Sequence, residues 1–206
     1  MLNYYIINMY ETLYFSLFPQ GYRNQKGVAV LATKPQKAVD IKWVFDYITS
    51  ERAHHATETL RAMEGKATKE ELSDFKKLNF ATITPAGIFN YRNAQSLAMR
   101  SPYLVIDVDD LASIKEAREV QQRLAADSNL QTALCFVSPS GKGVKAIVEI
   151  PKWAQSDDFK ATFRQVQRYL SFEHGIALDA SGSDVSRACF LPCDKECFIN
   201  PKFLKK

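Results

Sequence analysis

Two hydrophobic patterns divide the chain. Short apolar runs alternate with stretches in which apolar residues recur every three or four positions. LYFSLF (13–18) and GVAVLA (27–32) read as strands, separated by a turn-rich stretch at 19–27. Between 39 and 50, Val39, Trp43, Tyr47 and Ile48 fall at helical spacing. A second helix is predicted over 55–63, with Gly65 as its stop. Thr68 and Glu71 form a capping box that opens a short helix carrying Leu72 and Phe75.

The second half is more regular. ATITPAGIFNY (81–91) reads as a strand or hairpin arm bent near Pro85 and Gly87. YLVIDVD (103–109) is a buried strand, and the Ser113/Glu116 capping box leads a helix through Leu124. ALCFVS (133–138) and VKAIVEI (144–150) are strands joined by a tight polar turn. Ser156 is expected to cap the next helix, with Asp157 and Asp158 in its first turn, Phe159, Phe163, Val166 and Leu170 as its inner stripe, and Gly175 at its end. A last strand is predicted over SRACFLP (186–192). Strand, helix, hairpin, helix, strand is the order of an α/β or α+β fold, a mixed sheet with helices packed on it. A helical, strand-poor insert lies before it.

With 206 residues and 46% apolar content, a chain of this size buries roughly 70% of the surface its unfolded form exposes, enough for one substantial core. The formal net charge of +4 is compatible with a nucleic-acid partner and does not require one. Cys135, Cys189, Cys193 and Cys197 are too few for a secreted disulfide scaffold. The spacing of the last three matches neither common zinc pattern and lacks a nearby fourth ligand, so buried thiols account for them. The first residues are apolar without a basic start, and Glu11 interrupts them. No signal peptide or membrane span is expected, and the cytoplasm is the default location.

Three stretches could carry chemistry. In Asp107-Val108-Asp109, residues two apart on a strand project from one face, so both carboxylates share a surface while Ile106 and Val108 point into the core. Such a pair repels unless a cation lies between, which makes it a seat for Mg2+ or Mn2+. On that reasoning, Asp107→Asn leaves the metal-free fold as stable or more so. The plain alternative is a strand running out into a solvated acidic loop. Ser138-Pro139-Ser140-Gly141-Lys142-Gly143-Val144-Lys145 offers small residues whose amides can approach phosphate, with two lysines. It joins two strands and has Val144 where a Walker A loop needs a hydroxyl, so it is not that motif. An ordinary hairpin turn is its alternative, against which Lys145 sits within the second strand, facing the DxD strand by alternation. Asp179, and Asp184 to Arg187, form the third stretch, where Asp and Ser also serve as local caps. Arg92 and Arg100, with Tyr91, could line a nucleic-acid path.

In this order, IDVD, SPSGKGVK, and LD with SDVSRACFLP, the chain resembles the archaeo-eukaryotic primase (prim-pol) superfamily. It looks most like the amino-terminal domain of virulence-protein-E-like primase-helicase proteins, over about Thr82 to Asn200. The resemblance implies an RRM-like catalytic core over 81–206 beside a smaller α/β unit with a helical insert over 1–80, packed as one unit. It also implies a DNA primase-polymerase nucleotidyltransferase working in replication of a phage, plasmid or mobile element. By it, Asp107, Asp109 and Asp179 are the metal-binding catalytic acids. Ser138, Ser140, Gly141, Lys142, Gly143, Lys145 and Arg187 hold the incoming nucleoside triphosphate, single-stranded DNA is the template, and a helicase is a partner. Polymerising members usually carry histidine where this chain has Lys145. Lysine neutralises phosphate charge but lacks the imidazole's acceptor and its titration near neutrality. The rival readings are a non-catalytic nucleotide or nucleic-acid binder that recruits a helicase, and a metal-dependent nuclease.

Overall fold

The computed structural model describes residues 12–178 and 180–204. The apolar start at 1–11 and Asp179 therefore lie outside the described residues. Strands Phe15–Phe18 (β1), Tyr22–Arg23 (β2), Ala29–Val30 (β3) and Lys37–Val39 (β4) are followed by helices Ile41–Thr49 (α1), His54–Met63 (α2) and Lys69–Asn79 (α3). Next come Thr82–Thr84 (β5), Gly87–Phe89 (β6), Leu97–Arg100 (β7), Tyr103–Val108 (β8) and helix Ile114–Ala126 (α4). Thr132–Val137 (β9), Val144–Glu149 (β10), helix Phe159–His174 (α5), Cys189–Phe190 (β11) and Phe198–Ile199 (β12) complete the order.

The result is a mixed α/β fold with open sheets. One four-stranded sheet has the order β11-β5-β1-β4, the other β12-β9-β10-β8, and β2-β3 and β6-β7 form two ribbons. Strands from both sides of residue 80 share the first sheet. The sheets are antiparallel rather than mixed, in every pairing among the described residues. The reason is that β10 returns between β8 and β9, leaving those two parallel but not adjacent, with α4 as their crossover. This is a split β-α-β unit.

Strand alternation sorts the second sheet into two faces. Leu104, Ile106 and Val108 of β8 join Val144, Ala146 and Val148 of β10 under Val120 and Leu124 of α4 and Phe163, Val166 and Leu170 of α5. Tyr103 and Ile147 face the other way, packing with Phe15, Leu17 and Ile83 of the first sheet and Val44 and Ile48 of α1. Asp107 and Lys145 belong to this second face, at the end of the apolar layer between the sheets. Of the described helices, none is long and apolar enough to cross a membrane.

Two local expectations change. α5 starts after Asp158, whose carboxylate accepts from the Lys160 amide at 2.9 Å, so Asp158 and not Ser156 is the cap. Ser156 is one step further out, its hydroxyl accepting from the Asp158 amide. The last strand shrinks to Cys189–Phe190, since beyond it the chain turns to bury Asp194 before β12 closes the second sheet. The capping box of α3 and the left-handed Gly175 ending α5 (φ 65°) stand as predicted.

Candidate functional site

A cleft of about 380 Å³ opens where β8, β10 and β11 end. Its lining includes Asp107, Asp109, Ser138, Ser140, Lys145 and Arg187, together with Lys76, Arg92 and Asp184. The period of two places Asp107 and Asp109 on one face of β8, and the β8–β10 register sets Lys145 directly opposite Asp107. Lys145 Nζ lies 2.5 Å from Asp107 Oδ2, and Arg187 Nη2 lies 3.4 Å from the same oxygen. Burial works against the charge of Lys145, but Asp107, with smaller help from Cys189 and Asp109, outweighs it, and the ammonium is raised above its usual range.

The turn at 138–143 is a closed loop. The Ser138 amide donates to Gly143 O at 2.8 Å and the Gly141 amide to Ser138 O at 3.0 Å, so two of its amides are used within the turn. Ser138 and Ser140 hydroxyls are 3.2 Å apart and face the cleft. Gly141 adopts φ 79°, in the region that favours glycine. At Gly143 a Cβ would fall 2.5 Å from Val108 O, so glycine is what lets the turn close onto the DxD strand. Lys142 points elsewhere, its ammonium 3.3 Å from Glu64, the C-terminal cap of α2. Asp110, at φ 59°, turns the chain after β8 so that the Leu111 amide donates to Lys142 O.

Asp184 accepts from both the amide and hydroxyl of Ser186 at 2.9 Å, ordering the turn that presents Arg187. It is thus a local cap whose carboxylate also lines the cleft. Arg92 donates through Nε to Ala32 O and faces the cleft, whereas Arg100 is committed to the carbonyls of Ser156 and Asp157. His174 makes more than a dipole contact: its Nε2 is 2.6 Å from Asp127. Lys76 was invisible as a site residue because α3 reads as a solvated amphipathic helix, and its place in the cleft depends on non-local packing.

The fit of these residues to a divalent ion rests on Asp107. Its Oδ1 is buried without a hydrogen-bond partner, a hard oxygen facing no donor. Two carboxylates with waters and substrate oxygens suit Mg2+ or Mn2+, which retain part of their hydration. Among the described residues no group of three or more His, Cys, Asp or Glu side chains is placed to hold a metal. All four cysteines are free and buried, and burial pushes the Cys189 thiol up to about 12.

The expected repulsion across the DxD is already relieved at Asp107, because the chain supplies its own cation in Lys145. Asp107→Asn should therefore destabilise the metal-free protein, leaving Lys145 buried and unpaired. Asp109 behaves oppositely. Asp109 is exposed, so the cleft walls desolvate it only in part, and with the repulsion from Asp107 this raises its carboxyl modestly above the usual 3.8. A raised carboxyl contributes stability that is complete at low pH and is lost as pH rises through the folded value. Asp109→Asn should remove that loss, so with chelator at neutral pH its denaturation midpoint lies above wild type while that of Asp107→Asn lies below. Midpoints recorded from pH 4 to 8, around the ordinary carboxylate value and above it, check both signs.

No curated protein and no solved structure matches the chain. The model of the family described as BT4734-like, N-terminal domain matches residues 74–198, a span that holds every cleft residue named above. It covers more than half of the chain, which therefore belongs to the BT4734-like N-terminal domain family.

Proposed function

We propose that the chain is a primase-polymerase-type nucleotidyltransferase domain acting in the cytoplasm on replication of a phage, plasmid or mobile element. In this reading the β8-α4-β9-β10 unit is the start of an RRM-like core. The observation that carries the reading is the convergence of Asp107 and Asp109 with Lys145, Arg187 and the Ser138–Ser140 side of the turn on one cleft. Asp107 and Asp109 hold Mg2+ or Mn2+, which when bound supplies charge neutralisation at the phosphates. Ser140, Lys145 and Arg187 grip and orient a nucleoside triphosphate, and Arg92 and Lys76, which line the same cleft, offer charge to an approaching DNA strand. Such chemistry is largely positioning and electrostatics, so no nucleophilic side chain is required.

The test is primer synthesis on single-stranded DNA with Mg2+ or Mn2+, comparing the protein with an Asp107→Asn/Asp109→Asn variant. Synthesis by the first and a loss of at least about a hundredfold in the second is the expected result. A second reading, a nucleotide-binding adaptor that recruits a helicase, is favoured by the Lys145–Asp107 contact, which occupies a metal-ligand oxygen. Nucleotide binding without synthesis would select it, and strand cleavage without synthesis would select a nuclease.

A further inference from the structure

Lys145 does something in the cleft that a histidine or a solvated lysine would not. It is 6% exposed, it stands opposite Asp107 in the strand register, and its ammonium is 2.5 Å from Asp107 Oδ2. Arg187 approaches the same oxygen. The other oxygen of Asp107 is buried and makes no hydrogen bond. The carboxylate is therefore neutralised through one oxygen and left without a hydrogen bond at the other.

The charge of the cleft's described lining points the same way. Among the described residues its lining holds four basic side chains (Lys76, Arg92, Lys145, Arg187) against three acidic ones (Asp107, Asp109, Asp184). A bare divalent cation meets a lining without excess negative charge and must separate a buried ion pair to use both oxygens of Asp107. A metal complexed to a triphosphate is net negative and brings its own partner for Lys145. The long flexible stem of lysine lets its ammonium pass from carboxylate to phosphate while the backbone stays in place.

We propose that Lys145 is a resident counterion that keeps free divalent metal off Asp107, so that the cleft takes up metal together with a triphosphate rather than before it. This rests on the reading of the cleft as a metal and nucleotide site. When phosphate arrives, Lys145 exchanges Asp107 for a phosphate oxygen, and the carboxylate is released to the metal at that moment. Loading is thereby tied to the presence of the nucleotide.

The experiment is titration with manganese alone, read by the paramagnetic signal of the free ion, without nucleotide. Lys145→Met and Lys145→Gln both remove the counterion, and the glutamine variant, which can still hydrogen-bond Asp107, covers the case in which methionine does not fold. Lys195→Met removes an exposed charge, paired with Glu51, that lies outside the cleft. The expected result is that manganese binds the Lys145 variants at least about tenfold tighter than wild type, a difference of about 1.4 kcal/mol. Lys195→Met should change affinity by no more than about threefold, as a screened charge outside the cleft. The added affinity should vanish when Asp107→Asn is combined with either Lys145 variant. Asp107-dependent binding of equal strength in wild type and the Lys145 variants would overturn the counterion role and leave the metal reading intact. No Asp107-dependent binding in any of the proteins would overturn both.

Discussion

Asp194→Ala should lower the unfolding free energy by about 3–5 kcal/mol in chemical denaturation, the cost of breaking a buried ion pair from one side. Asp194 is 3% exposed and lies between the last two strands. Its carboxylate accepts two bonds from Arg118 on α4, at 2.9 and 2.5 Å, one from the Val137 amide at 2.8 Å and one from the Glu196 amide at 3.1 Å. Alanine leaves the Val137 amide orphaned and strips Arg118 of its main partner, while burial still disfavours the guanidinium's charge. Asp194→Asn keeps one acceptor and should cost less. A surface pair gives the contrast: Glu51 and Lys195 are both exposed, so Glu51→Ala should leave the midpoint near that of wild type. The site should feel the loss too, because Val137 is the residue before the turn that carries Ser138 and Ser140. An Asp194→Ala protein with wild-type stability would mean that Arg118 and Val137 find other partners.

Asp194 also shows where sequence reading stops. In the run Cys193-Asp194-Lys195-Glu196 it looks like any charged loop residue, and nothing local marks it as the buried member. What was legible obeys local rules. β8, β9 and β10 are predominantly apolar runs, α3 and α4 announce themselves by caps, and the period of two places Asp107 with Asp109 and sets Lys145 on the face away from Val144 and Ala146. What was not legible depends on pairing between distant segments. β11 and β12 have two residues each and exist only because β5 and β9 offer them edges. Lys76 and Arg92 reach the cleft because α3 and the segment after β6 pack across it, a tertiary outcome that no window of sequence contains. The reversed expectation for Asp107→Asn has the same origin. Alternation showed which way Lys145 points, but the β8–β10 register decides that it meets Asp107 and not Val105.

Lys145→Ala should weaken triphosphate binding roughly ten- to a hundredfold, since a charge-assisted contact contributes about 1.5–3 kcal/mol. The measurement has to be made with and without magnesium, because the substitution acts twice. It removes a phosphate contact, and it frees Asp107, whose Oδ2 then has no ammonium beside it. With chelator present only the first effect remains, so the loss should be largest there and smaller with magnesium, where the released carboxylate favours the metal. Lys145→His separates charge from position. Imidazole is shorter and carries its proton mainly below about pH 6.5, so it should recover part of the binding at pH 6 and little at pH 8. Recovery that ignores pH would mean that hydrogen bonding and not charge matters at this position. If the alanine variant binds metal-free triphosphate as tightly as the lysine protein, the ammonium never leaves Asp107 for phosphate. The pair is then a structural feature of the cleft floor, and nucleotide recognition has to come from Arg187, Arg92 and the serines of the turn.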